Sequence, residues 1–270
     1  MKRLLTSALL CLTLMVGLAI PAMAADGSAV IKRVVDSGVL RVGMSGNQPP
    51  FAVKSKDGSL IGYEVDLANM LAQGMGAEAK IVEKPFGQLL TALEKGEVDV
   101  VMSGMTMTPA RNARVAFVGP YIVSGKSILT KDSSVAAMQE ADQLDNSSIS
   151  LVALENSTSQ KWVEKLMPSA KLVTASNYDD AVNMVLDDTV TAMVADMPIC
   201  AISVLRHGDK GLVTTTQPLS IEPIGIALAP GDSLLLNMVE NYLGALEILG
   251  VFDALEDKWF GDASWMINIP

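Results

Sequence analysis

The chain has 270 residues, half of them hydrophobic and 19% charged, with a formal net charge of −10 at pH 7, a composition that builds a core and excludes an extended disordered chain. Thirty acidic residues against twenty basic ones repel a phosphate backbone, which excludes nucleic acid as a partner and disfavours an anionic membrane surface. The length admits one large domain or two smaller ones.

In chain order, Lys2 and Arg3 precede a mostly apolar run over 4–20 that ends at Pro21 and the small-residue site Ala22-Met23-Ala24. These parts, in this order, predict a secretory signal over 1–24, cleaved after Ala24. Removing those 24 residues leaves 246, and losing Lys2 and Arg3 takes the charge from −10 to −12. Cys11 leaves with the signal, so Cys200 stands alone, no intramolecular disulfide can form, and stability must come from the core. Cys200 itself reads as a small buried hydrophobe. The one histidine, His207, reads as a solvated residue near a helix end. One cysteine and one histidine make neither a soft-metal cluster nor a Ser-His-Asp or Cys-His pair, so no metal, cofactor or catalytic residue is expected.

The mature chain opens with a helix over 29–36, stopped by Gly38, and a strand over 40–44. A helix over 66–73 ends at Gly74 and Gly76, and a strand follows over 80–83. The helix over 86–95 places Phe86, Leu89, Leu90 and Leu93 at i, i+3, i+4 and i+7 and leads to a strand over 98–102. A second run sets strands at 127–130, 149–154, 172–174 and 191–195 between helices at 135–141, 158–166, 178–186 and 198–206. The tail holds 214–216, a stretch from Pro218 to Pro223, a strand over 224–229 and helices over 233–249 and 251–259. Strand-helix alternation predicts parallel sheets covered on both faces, and two such runs predict two α/β lobes.

Three strand-to-helix turns carry polar chemistry. After the strand over 98–102 comes Ser103-Gly104-Met105-Thr106-Met107-Thr108-Pro109-Ala110-Arg111. Thr108 can cap, Pro109 suits the first helical position, and the Arg111 fork with the Thr106 hydroxyl and open backbone at Gly104 suits a small carboxylate. The alternative is an ordinary cap with a surface arginine. Asp196 follows the apolar run Met193-Val194-Ala195 at a strand's carboxyl end, where it either holds a ligand ammonium or simply caps the next helix. Glu155-Asn156-Ser157-Thr158-Ser159-Gln160 is a hydroxyl-rich turn of the same kind. Together these supply donors for a carboxylate and an acceptor for an amine.

The residues also carry a family resemblance. Gly38-Val39-Leu40-Arg41-Val42-Gly43, Pro49-Pro50-Phe51, Gly62-Tyr63-Glu64-Val65-Asp66-Leu67-Ala68, Gly96-Glu97-Val98-Asp99-Val100, Gly104 to Arg111 and Phe117-Val118-Gly119-Pro120-Tyr121 resemble, in order and spacing, the periplasmic amino-acid-binding proteins of ABC transporters, solute-binding family 3. The resemblance spans nearly the whole mature chain. It implies an α/β, two-lobed type II periplasmic binding fold, each lobe a mainly parallel sheet flanked by helices, joined by a two-segment hinge near 120–126 and 217–223. Lobe 1 would span 25–122, lobe 2 would span 123–219, and 220–270 would return to lobe 1.

The resemblance further implies that Arg111 and Thr106, assisted by Ser103 and Gly104, bind the ligand carboxylate, that Ser159 adds a hydroxyl from the second lobe, and that Asp196 holds the ligand amine. Ser45, Gln48, Phe86 and Glu155 would line the side-chain pocket. Relatives often carry an acid and an aromatic where Ser45 and Gln48 stand, so a strongly cationic ligand loses its counter-charge and stacking platform here. Glu155 either reads a polar or basic group or faces solvent, and Phe51 packs beneath the site. The implied protein is a periplasmic monomer that captures a polar or neutral amino acid and delivers it to a permease in the inner membrane. The rivals on the same fold are a cyclohexadienyl-dehydratase-like enzyme, with Glu155 as its one candidate general acid, and a sensor that presents ligand to a receptor.

Overall fold

The computed structural model describes residues 27–138 and 140–270, so the expected signal over 1–24 lies outside the described residues. Ser28 accepts the Ile31 amide to start α1 (Ala29–Ser37), and Gly38, left-handed at φ 67°, stops it. Then come β1 (Val39–Met44), a small antiparallel sheet of β2 (Asn47–Gln48), β3 (Ala52–Lys54) and β4 (Leu60–Ile61), α2 (Tyr63–Gly74) and β5 (Glu78–Glu83). A 3₁₀ turn at Phe86–Gln88 enters α3 (Leu89–Glu94), followed by β6 (Val100–Val101), α4 (Pro109–Asn112), β7 (Ala116–Ser124) and β8 (Lys126–Thr130). The second half adds α5 (Ser133–Ala136), α6 (Ala141–Leu144), β9 (Ser150–Leu154), α7 (Thr158–Leu166), β10 (Lys171–Ala175), α8 (Tyr178–Leu186), β11 (Ala192–Asp196) and α9 (Met197–Arg206). The chain closes with β12 (Val213–Thr214), β13 (Glu222–Leu228), α10 (Ser233–Ile248) and α11 (Val251–Glu256).

Two five-stranded sheets result, in the orders β5-β1-β6-β13-β7 and β10-β9-β11-β8-β12. Three neighbouring strands of each are parallel, as the strand-helix alternation demands. The remaining pairs are antiparallel. In the second sheet Leu151, Ala192, Val194 and Ile128 pack with Val135, Leu144 and Val163, whereas Val152, Leu154, Met193 and Ala195 share a core with Val182, Val185, Ile199 and Cys200. Alternate residues of each strand thus bury opposite faces, which is why these strands read as unbroken apolar runs.

Several expectations are corrected. The helix over 135–141 is two short ones, because Asp132 caps α5 and Glu140 with Gln143 forms a capping box on α6. The long strand β7 was missed because Gly119-Pro120 interrupts its pattern; it lies at an edge of its sheet, where proline is tolerated. The strand over 98–102 contracts to Val100–Val101, and the last long helix stops at Glu256 before a π-helical turn over Asp257–Gly261. His207 does end α9, half-buried rather than solvated.

β7 and β13 run side by side, with Val123 opposite Pro223 and Ser124 opposite Glu222. At their end the Leu219 amide donates to Lys126 O at 2.7 Å and the Lys126 amide to Ser220 Oγ at 3.1 Å. The chain therefore passes between the two sheets through two hydrogen-bonded extended segments.

Candidate functional site

The polar turns all follow the carboxyl ends of parallel strands: Ser45 after β1, Ser103 after β6, Glu155 after β9, and Asp196 as the last residue of β11. That is where α/β sheets leave a crevice for ligands.

On the first sheet, Thr108 Oγ1 accepts the Arg111 amide at 3.3 Å and Pro109 takes the first helical position, as the sequence predicts. The short α4 turns the Arg111 side chain inward. Arg111 is 8% exposed, which removes the surface-arginine alternative. Of its five N–H donors, one on Nη1 donates to Thr106 O at 2.8 Å, and the guanidinium lies over the Phe86 ring, 5.6 Å from its centroid. Among the described residues no carboxylate forms an ion pair with it. Burial pulls the guanidinium down from its ordinary value, opposed by Asp196 and Glu222.

The loop beneath is tied by hydroxyls. Ser103 Oγ donates to Gln48 Oε1 at 2.5 Å, Ser45 Oγ donates to the same oxygen at 2.7 Å, and the Ser45 amide donates to Ser103 Oγ at 3.0 Å. Gln48 also bonds the buried hydroxyl of Tyr178 at the start of α8. Gly104 adopts φ 56°, and a Cβ there would press on Gln48 Nε2 at 3.2 Å. Its amide donates to Glu64 Oε1 at 2.7 Å, so this N–H is already engaged inside the protein. Phe51 is fully buried against Phe260, beneath the site as expected.

On the second sheet, Ser157 caps α7 and Ser159 is buried one turn position on. The hydroxyl that reaches across is that of Thr158, 3.3 Å from Thr106 Oγ1. Glu155 is exposed, the solvent-facing of its two readings. Asp196 stands at the N-cap position of α9 but its side chain caps nothing. Its Oδ1 instead accepts Lys126 Nζ at 2.6 Å. Lys126 also donates to Thr158 Oγ1 at 2.7 Å and lies 3.4 Å from Glu222 Oε2.

Lys126, Glu222, Thr158, Tyr178 and Glu64 are thus site residues that sequence reasoning missed. A lone lysine opening an apolar strand, and a lone glutamate between Ile221 and Pro223, were the available signals; each reads as surface until the two segments are brought together.

A model of the family described as bacterial extracellular solute-binding proteins, family 3, matches residues 40–262. An L-cystine-binding protein of Escherichia coli is 28% identical over 93% of both chains. The cyclohexadienyl dehydratase of Pseudomonas aeruginosa is 24% identical, covering 94% of this chain and 93% of its own. A protein from Wolinella succinogenes, crystallised with lysine, superposes with a TM-score of 0.81 at 34% identity over 85% of this chain and 98% of its own. The similar proteins are in the main named as amino-acid-binding proteins.

Proposed function

The chain belongs to the bacterial extracellular solute-binding proteins, family 3, and from that premise we propose that it captures a small carboxylate solute of the amino-acid class between two closing lobes and delivers it to an ABC permease in the inner membrane. The observation that carries this reading is Arg111, a buried guanidinium with one hydrogen bond and no acidic partner among the described residues. A buried charge is costly unless paired, and a ligand carboxylate supplies the pair beside the Thr106 and Thr158 hydroxyls. Ser103 and Ser159, buried at their two turns, complete the carboxylate cradle, Gly104 shaping the turn without a free donor because Glu64 takes its amide, and Ser45, Gln48 and Phe86 bound its far side.

Lobe 1 comprises 25–122 with 220–270, lobe 2 comprises 123–219, and β7 with β13 is the hinge. Contacts drawn from both lobes favour the closed form, and the closed form is what a permease reads. The protein works as a monomer in the periplasm after the signal over 1–24 is cleaved behind Ala24. Binding rather than catalysis is supported by the exposure of Glu155, the general acid that the sequence offers, to solvent, and by the amino-acid-binding names of most of the similar proteins. Thermal stabilisation of the ligand-stripped protein, measured across amino acids and related carboxylates, tests the reading, because a ligand that binds only the folded state must raise its stability. No shift with any of them overturns it, and turnover of prephenate or arogenate would replace it with the enzyme.

A further inference from the structure

Among the described residues the buried charged side chains are Glu64, Asp99, Arg111, Lys126, Asp196 and Glu222. Asp99 is held by its own cations, Arg33 and Arg41, and Glu64 by the Gly104 amide and the Tyr121 hydroxyl. The other four meet at the crevice. Lys126 opens β8 opposite Asp196 in the antiparallel ladder. Its ammonium, with three N–H donors, faces Asp196 Oδ1 at 2.6 Å, Thr158 Oγ1 at 2.7 Å and Glu222 Oε2 at 3.4 Å. Asp196 and Glu222 also both act on Arg111, opposing the fall that burial causes. Two cations and two anions sum to zero. Asp196 Oδ2 takes no hydrogen bond among the described residues, so one carboxylate oxygen stays open beside the Lys126 charge.

Resting on the reading that this crevice holds an amino acid, we propose that Lys126 is a specificity-determining residue, which restricts the solute to amino acids with uncharged side chains. A zwitterion adds one charge of each sign: its carboxylate pairs with Arg111, its ammonium with Asp196 Oδ2, and the buried sum stays at zero. Without Lys126, the two acids Asp196 and Glu222 would suit two ligand cations, the ammonium and a basic side chain. Lys126 supplies the second cation from within the protein, so a basic side chain adds a buried charge with no partner, which is costly. Glu222 has no free oxygen to offer it: Oε1 accepts the Ser220 hydroxyl at 3.2 Å and Oε2 faces Lys126. An acidic side chain fares no better, because Arg111 serves the ligand's own carboxylate and three oxygens already surround Lys126. Arg114 and Lys161, beyond Arg111, are exposed, and water and salt screen them. The ladder fixes the Lys126 backbone, held further by its amide and carbonyl bonds to Ser220 and Leu219, so its charge stays at the crevice.

The test is calorimetric titration of the purified, ligand-stripped protein with the common amino acids and with pairs that differ in side-chain charge but little in shape: asparagine with aspartate, glutamine with glutamate, and citrulline with arginine. The expected result is that the tightest ligand has an uncharged side chain and binds at least tenfold tighter than any charged amino acid. Lys126→Met, which keeps the stem and removes the charge, should move the preference at least tenfold toward the basic members. Lys126→Arg, which keeps the charge, should leave the uncharged members preferred. Glu222→Gln removes an acid instead and should move the preference at least tenfold the other way, toward the acidic members. A charged amino acid as the tightest ligand of the wild type overturns this inference and leaves the solute-binding reading standing. Binding of no amino acid at millimolar concentration overturns both. An unchanged preference in folded Lys126→Met overturns the role given to Lys126; if that variant does not fold, an unchanged preference in Glu222→Gln does so, and if neither folds the wild-type ranking decides.

Discussion

Glu64 Oε1 accepts the Gly104 amide at 2.7 Å, and the same oxygen takes the hydroxyl of Tyr121. One buried carboxyl thereby ties α2 to the turn that leads to Arg111 and to β7. Its other oxygen, Oε2, has no partner among the described residues.

Burial pushes the Glu64 carboxyl up from 4.5 to about 7, against the opposing effect of its two hydrogen bonds. The folded state thus keeps a proton that the unfolded chain releases near its ordinary value. The stability this proton confers is fully present below about pH 4.5 and is lost as pH rises through about 7. That gap corresponds to roughly 3 kcal/mol. Glu64→Gln should flatten the fall in melting temperature between pH 5 and 8. Melting curves of wild type and variant that run parallel across this range would refute it.

Arg111→Ala should abolish ligand binding while the empty protein keeps its fold. Removing the partner of a buried carboxylate costs roughly 3–5 kcal/mol, a few hundred- to a few thousand-fold in affinity. Titration with the ligand found by the stabilisation screen measures it, and an affinity within about tenfold of wild type, roughly 1.4 kcal/mol, sinks the assignment.

Gly62 stands at φ 145°, and a Cβ there would overlap the carbonyl of Phe51. This turn sets the start of α2 and hence the position of Glu64. Gly62→Ala should cost about 3 kcal/mol, on the order of 6–12 °C in melting temperature. A loss under about 2 °C by circular dichroism would show that the turn relaxes freely.

Cys200 lies fully buried in α9, and burial pushes its thiol up to about 12. The folded protein should therefore resist alkylation at pH 8, and the denatured chain should take up one equivalent. Mass spectrometry after brief exposure to a maleimide distinguishes the two, and rapid labelling of the native protein would place the thiol at an accessible surface.

The amino-acid sequence by itself determined the alternation of strands and helices, the parallel core of each sheet, and the turn that presents Arg111, because apolar periodicity, the Thr108 cap and Pro109 act within a few residues of one another. It also placed Asp196 at the carboxyl end of a strand. Only the tertiary structure decided what Asp196 touches. Lys126 is 70 positions from it and Glu222 is farther along the other hinge segment, and no local pattern distinguishes a lysine that will be buried from one that will be solvated. The antiparallel pairing of β8 with β11 puts Lys126 opposite Asp196, and the pairing of β7 with β13 brings Glu222 alongside. Local rules set the backbone of the turns; register between distant strands set the charge partners, because electrostatic pairing depends on distance in space and not along the chain.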